Sequence, residues 1–180
     1  MESMCTTKYI RYSVIHILLF LASCIIGFFI GQVSGDIGEI SFINKPFYEY
    51  FLHNISTCMV LVGIGIITYG CLTWIPLIYN GMILGMAVCF LAKSYSALNI
   101  VVFFAHAVFE VPALMLAIYL GKVCAVELKE MAVALVRKKE ITLIQKQQLV
   151  KIVIGFGIMT LFLLVAGVIE AVPKVSKGGI

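Results

Sequence analysis

Between Ile100 and Leu120 the chain carries one histidine and one glutamate, His106 and Glu110, and no other Asp, Glu, Lys, Arg or His; Pro112 follows two positions after the glutamate. At i and i+4 the two side chains share one face of a helix and can pair. Three kinds of chemistry are open to them: a hydrogen-bond network that fixes helix packing, a path for a proton, ion or small substrate, and a catalytic or metal site. The network is the preferred reading, because an ionisable group in an apolar layer must take a partner. Two ligands are too few for zinc, and His-Ala-Val-Phe-Glu is not the HExxH order in which a glutamate works between two metal-bound histidines. The sequence holds no nucleophile elbow, phosphate loop or dinucleotide fingerprint. Neither enzymatic activity nor a cofactor or metal is expected.

The elements that must position these residues follow from composition. Of 180 residues 62% are hydrophobic and only 12% charged, an excess of apolar surface that one aqueous core of this size cannot hide. The expected fold is all-α, a polytopic membrane helix bundle forming one integral membrane domain over residues 1–180. A spanning helix needs roughly 20 apolar residues. Runs of that length fall at about 12–31, 53–74, 76–92, 99–121 and 150–172. The second and third nearly touch, and a tight helical hairpin is predicted at Thr73-Trp74-Ile75, with Thr73 as a cap, Trp74 at the interface and Pro76 in a first helical turn.

Lys and Arg set the orientation. Lys8, Arg11, Lys122, Lys129, Arg137, Lys138, Lys139, Lys146 and Lys151 fall on one side of such a bundle, and Lys45, Lys93, Lys174 and Lys177 on the other. The bias places the N-terminus in the cytoplasm and the C-terminus outside a cell membrane. The net charge of +4 is then mostly a topology signal, and nucleic acid is not an expected partner. Leu21-Ala22-Ser23-Cys24 resembles a lipoprotein cleavage site, but the apolar residues 25–30 continue the span, so an uncleaved first helix is expected. The six cysteines lack CxxC spacing, and small buried thiols are expected rather than disulfides.

Two segments lie outside the spans. Residues 32–52 form an expected external loop carrying Asp36, Glu39 and Glu49 and an aromatic cluster at Phe47, Tyr48, Tyr50 and Phe51. Residues 122–149 form an expected cytoplasmic amphipathic segment in which Leu128, Met131, Ala132 and Leu135 recur at helical spacing, with Glu127, Glu130 and Arg137 on other faces. That face suits anionic lipid, a partner, or the ends of the chain's own spans.

Gly27 and Gly31, and Gly81 and Gly85, form GxxxG pairs expected to bring helices together within the chain rather than between chains. On a helical fourth span Asn99, His106, Glu110, Ala113, Ala117 and Gly121 lie on one stripe, while Phe104, Val108, Val111, Met115 and Ile118 lie opposite. Pro112 should kink that span beside Glu110, because it cannot donate to Val108 and its ring presses on that carbonyl. With entry near Asn99, His106 lies about 10 Å deep and Glu110 about 16 Å deep. Glu170 and Asn54, each near the outer end of its span, are placed to reach toward His106. Asn80 is expected nearer the cytoplasmic side.

Ala105-His106-Ala107-Val108-Phe109-Glu110-Val111-Pro112-Ala113 resembles the HGxxE[LIV]PA signature of the stage II sporulation protein M family of bacterial and archaeal membrane proteins. Asn54-Ile55, Asn80-Gly81 with Gly85, and the late Glu170 fit the same pattern over about residues 53–172. Ala107 stands where the family commonly has glycine. The resemblance implies a multispanning scaffold that recruits envelope-remodelling partners in sporulation, or a component of bacteriocin immunity or export; many members have no assigned role. Expected partners are thus the lipid bilayer and other membrane or envelope proteins. Two functions stay open: a scaffold held by the polar stripe, and a transporter-like or immunity component acting on a small or amphipathic substrate at His106 and Glu110.

Overall fold

Apolar runs of this length leave the backbone one economical way to satisfy its polar groups, and the computed structural model is built from helices. It describes residues 2–34, 45–137 and 143–172, with side chains left out at residues 2–11, 94 and 143–145. The helices are α1 (Glu2–Val33), α2 (Phe47–Thr68), α3 (Trp74–Ser94), α4 (Ala97–Phe103), α5 (Ala107–Val136) and α6 (Leu143–Ala171). Among the described residues there is no strand. Among the described residues five stretches are long and apolar enough to cross a membrane: Tyr12–Val33, Phe47–Thr68, Trp74–Lys93, Ala107–Val136 and Lys146–Ala171.

Three boundaries differ from expectation. First, α2 starts at Phe47 and ends at Thr68, six residues earlier at each end than the predicted span. Pro46, extended at φ −65° and ψ 151°, stands at its N-cap, and the aromatic cluster assigned to the loop forms its first turns. Asp36 and Glu39 lie outside the described residues.

Second, the fourth span is broken. Residues 104–106 form a turn between α4 and α5, while α5 runs through Pro112 without interruption. The proline lies in the second turn of α5, where its missing N–H forgoes one bond, to Val108, and the irregular backbone comes before the helix rather than within it. Asn99 therefore belongs to α4 and is exposed, off the stripe that continues from His106 to Gly121. Ala113 and Ala117 are fully buried, but so is Ile118 from the opposite side, because α5 is the central helix with α2, α6 and part of α1 against it.

Third, the segment after Lys122 is not a separate helix. α5 continues to Val136, about 20 Å beyond Lys122 at ~1.5 Å per residue, and α6 begins at Leu143. Leu128 and Leu135 are exposed on this overhang, whereas Glu127, expected on a face other than theirs, is buried.

Packing divides the bundle. α1 lies along α3, and the two GxxxG pairs face each other there: a Cβ on Gly27 would strike Met82 O, one on Gly81 would strike Ser23 Oγ, and one on Gly85 would strike Cys24 O. The small residues thus serve packing within the chain, as expected. α5 packs on α2 and α6 around Leu61, Ile118, Met159 and Leu163. α2 and α3 are joined by a turn in which Tyr69 (φ 52°) and Gly70 (φ 79°) are left-handed and Gly70 N donates to Gly65 O at 2.8 Å, a helix ending that favours glycine. Away from that turn the two helices make few contacts. The bundle is therefore tight at the turn end and parted at the other.

Candidate binding cavity

Where α2 and α3 part, a cavity of about 610 Å³ opens between the α1–α3 pair and the α2–α5–α6 group. Asn54 from α2, Asn80 from α3, His106 and Glu110 from the start of α5 and Glu170 from α6 all line it. The five polar residues singled out in the sequence thus meet around one space. Asn80 lies only about 10 Å along α3 from Thr73 at ~1.5 Å per residue, so its expected depth nearer the turn end is compatible with a place on the deeper wall. Gly27, Gly31, Gly81 and Gly85 lie in the α1–α3 seam instead, and Pro112 is exposed.

The break before α5 positions the central pair. His106 sits at the N-cap of α5, and its carbonyl accepts from Phe109 N at 3.0 Å and Glu110 N at 3.1 Å. Glu110 in the first turn places a carboxylate near the helix N-terminus, where the backbone dipole favours negative charge. His106 Nε2 stands 3.6 Å from Glu110 Oε2, with the side chains 12% and 25% exposed. That is ion-pair range but long for a hydrogen bond. Ala107, at the family's glycine position, also lines the cavity.

The other groups are committed unequally. Asn80 Nδ2 donates to Pro76 O at 2.9 Å, which leaves its Oδ1 as an acceptor. Asn54 is 6% exposed, and its Nδ2 has no hydrogen-bond partner among the described residues. At the rim Lys45 Nζ and Glu49 Oε2 are 3.7 Å apart and both exposed. The floor and walls are apolar, with Phe20, Leu84, Leu91 and Leu163 among them. No group of three or more His, Cys, Asp or Glu side chains that could hold a metal occurs among the described residues, and Cys24, Cys58, Cys71, Cys89 and Cys124 are free thiols.

Comparison with known families matches residues 16–172 to stage II sporulation protein M. The chain belongs to the stage II sporulation protein M family. The match takes in most of the membrane-crossing part of α1 and reaches the end of α6, so the whole cavity of this family member lies within it. No curated protein and no solved structure matches the chain.

A second polar cluster lies at the turn end, around Tyr12, His16 and Thr73, of which only Thr73 is assigned a role from sequence, as a cap. Thr73 makes no side-chain cap bond to α3; its hydroxyl lies 2.9 Å from Gly70 O and 3.2 Å from His16 Nε2. Tyr12 donates its hydroxyl to Gly70 O at 2.9 Å. His16 Nδ1 is 2.9 Å from Tyr12 O, a carbonyl that can only accept, so Nδ1 carries the proton. Lys122 Nζ caps the Tyr12 ring at 3.7 Å from its centroid, a cation–π contact. The signal that picks out His106 and Glu110, two polar residues at i and i+4 in an apolar span, was present at Tyr12 and His16 as well.

Proposed function

We propose that this family member is an integral membrane scaffold that organises other envelope proteins and carries out no reaction of its own, with its N-terminus in the cytoplasm and its C-terminus outside. The observation that carries this reading is the overhang of α5. Its 30 residues are about 45 Å long, against a hydrocarbon layer of about 30 Å. Lys122, held at Tyr12 beside the α2–α3 turn, suits the membrane boundary. Beyond it Leu128, Val133, Leu135 and Val136 stay exposed, a set of apolar residues past the span that fits a protein partner better than water. Lysine and arginine accumulate around the same end, which supports placing it in the cytoplasm.

Orientation is tested with a chain keeping Cys71, an exposed thiol in the α2–α3 turn, as its single cysteine. A membrane-impermeant maleimide should label it only after the cells are opened; labelling of intact cells overturns the orientation. The scaffold is tested by recovery from mild detergent of the native chain and of a Leu135→Glu, Val136→Glu variant, beside the deletion phenotype. The native chain should bring down a defined envelope protein that the variant loses, and the variant should reproduce the deletion phenotype. A fully functional variant counts against the scaffold reading.

One observation favours a second reading, a transporter-like or bacteriocin-immunity component: the cavity of about 610 Å³ that holds His106 and Glu110. Glu110→Gln distinguishes them. A scaffold keeps its function, because glutamine preserves shape and an acceptor; a proton or ion path loses it while the protein stays folded.

A further inference from the structure

The cavity where α2 and α3 part is lined by polar groups of two kinds, and they are committed to different degrees. The charged side chains are engaged within the protein. Lys45 and Glu49 stand 3.7 Å apart at the rim, His106 and Glu110 stand 3.6 Å apart, and Tyr50 and Glu170 also have interaction partners. A charged occupant would have to part these groups or lie uncompensated against apolar walls, and either is costly.

The two carboxamides are freer. Asn54 on α2 lines the cavity and is more than nine-tenths buried, and its Nδ2 has no hydrogen-bond partner among the described residues. A buried amide donor left unmade is costly, so an oxygen acceptor on an occupant is a gain at that point. Asn80 lines the cavity from α3. Its Nδ2 donates to Pro76 O at 2.9 Å, which fixes the side chain and leaves Oδ1 to accept.

A donor on one wall and an acceptor on the other ask for an occupant with both functions on different atoms. A trans secondary amide has them, its C=O and N–H directed opposite ways. An ester keeps only the acceptor, and a hydroxyl puts both functions on one oxygen. Phe20, Leu84, Leu91 and Leu114 on the remaining wall suit an apolar body, and a volume of about 610 Å³ is of the size that encloses a small molecule.

We propose that this cavity binds a small uncharged amide with an apolar chain, its carbonyl accepting from Asn54 and its N–H donating to Asn80. The amide has two sources, an N-acylated lipid of the surrounding leaflet or a free amphipathic amide, and the chemistry they share is the same.

The purified full chain in lipid nanodiscs, with empty nanodiscs as the reference, is titrated calorimetrically with N-hexylacetamide, hexyl acetate, n-hexanol, hexylamine and hexanoate. The acetamide and the acetate differ by one N–H, and a neutral hydrogen bond in a sheltered site should make the amide bind about fivefold tighter. Hexanol, hexylamine and hexanoate should each bind more weakly than the amide. Asn54→Leu should weaken amide and ester alike, by about fivefold, because both use the carbonyl. Asn80→Leu should erase the margin between amide and ester while ester binding persists, which also shows the cavity intact. If either variant does not fold, the head-group series on the native chain decides. An ester, alcohol or charged probe that binds as tightly as the amide overturns the proposal, as do folded Asn54→Leu and Asn80→Leu chains that both bind the amide like the native chain. Native mass spectrometry gives the source: an N-acylated lipid retained through purification points to the leaflet, and amide binding by a chain that retains none points to a free amide. Loss of partner recruitment in the overhang variant leaves these affinities unchanged, so this proposal and the scaffold reading fail separately.

Discussion

The two polar clusters of this bundle lie at opposite ends and are built on opposite terms. At the turn end, Tyr12, His16, Gly70 and Thr73 are gathered by hydrogen bonds of 2.9 to 3.2 Å, and Gly65 and Gly121 bring α2 and α5 close enough that a Cβ on either would meet the other's backbone. At the parted end, His106 and Glu110 stand 3.6 Å apart, Asn54 keeps an unmade donor, and a cavity takes the place of packing. A network whose groups are satisfied specifies a fold, whereas one left open gives up stability and keeps chemistry available. The turn cluster holds the helices together, and the cavity lined by Asn54, His106 and Glu110 is the candidate site.

The largest effect should come from forcing the tight end apart. Gly121→Leu places a side chain where even a Cβ lies 2.9 Å from Val62 O; overpacking of this kind should cost about 3 kcal/mol in reversible unfolding in mixed micelles. A cost well below that would mean that α2 and α5 have room to separate.

Thr73→Val should come next. It removes the hydroxyl between His16 and Gly70 while keeping the shape, and a loss of about 2 kcal/mol is expected in the same assay, near the upper end for membrane hydrogen bonds. Tyr12→Phe in a Thr73→Val background should then cost less than it does alone, because the 3.2 Å contact between the Tyr12 and Thr73 hydroxyls is already gone and interacting sites are not additive.

At the parted end the effects should be smaller. Glu110→Ala should cost about 1–2 kcal/mol, the scale of one polar contact within a membrane, and Glu110→Gln less than about 0.5 kcal/mol, because an amide keeps the shape and one acceptor. A Glu110→Gln chain as unstable as Glu110→Ala would show that the charge itself holds α5 in place.

Much of this was legible beforehand, for local reasons. Apolar run length disclosed the membrane helices, GxxxG spacing disclosed the α1–α3 seam, and i, i+4 spacing disclosed the pairing of His106 with Glu110. The misses have physical causes too. Ala105-His106-Ala107 contains no residue that breaks a helix, so attention went to Pro112, which α5 accommodates six residues in. Nothing between Lys122 and Val136 ends a helix either, neither Gly nor Pro, so a charge-based boundary divided what the backbone keeps continuous. The turn cluster draws α1 to a turn some sixty residues away in sequence, between partners 57 and 58 positions apart, and residue spacing within one helix carries no record of such a pairing.

The most direct test of the contrast is the unfolding free energy of Asn54→Leu, measured beside Thr73→Val in the same micelles. Asn54 is as buried as His16, but its donor has no partner among the described residues, so an apolar side chain of similar size should leave stability within about 0.5 kcal/mol of the native chain or raise it. An Asn54→Leu chain destabilised by the ~2 kcal/mol expected of Thr73→Val would contradict the account, because the cavity's polar groups would then be holding the fold just as the turn cluster does.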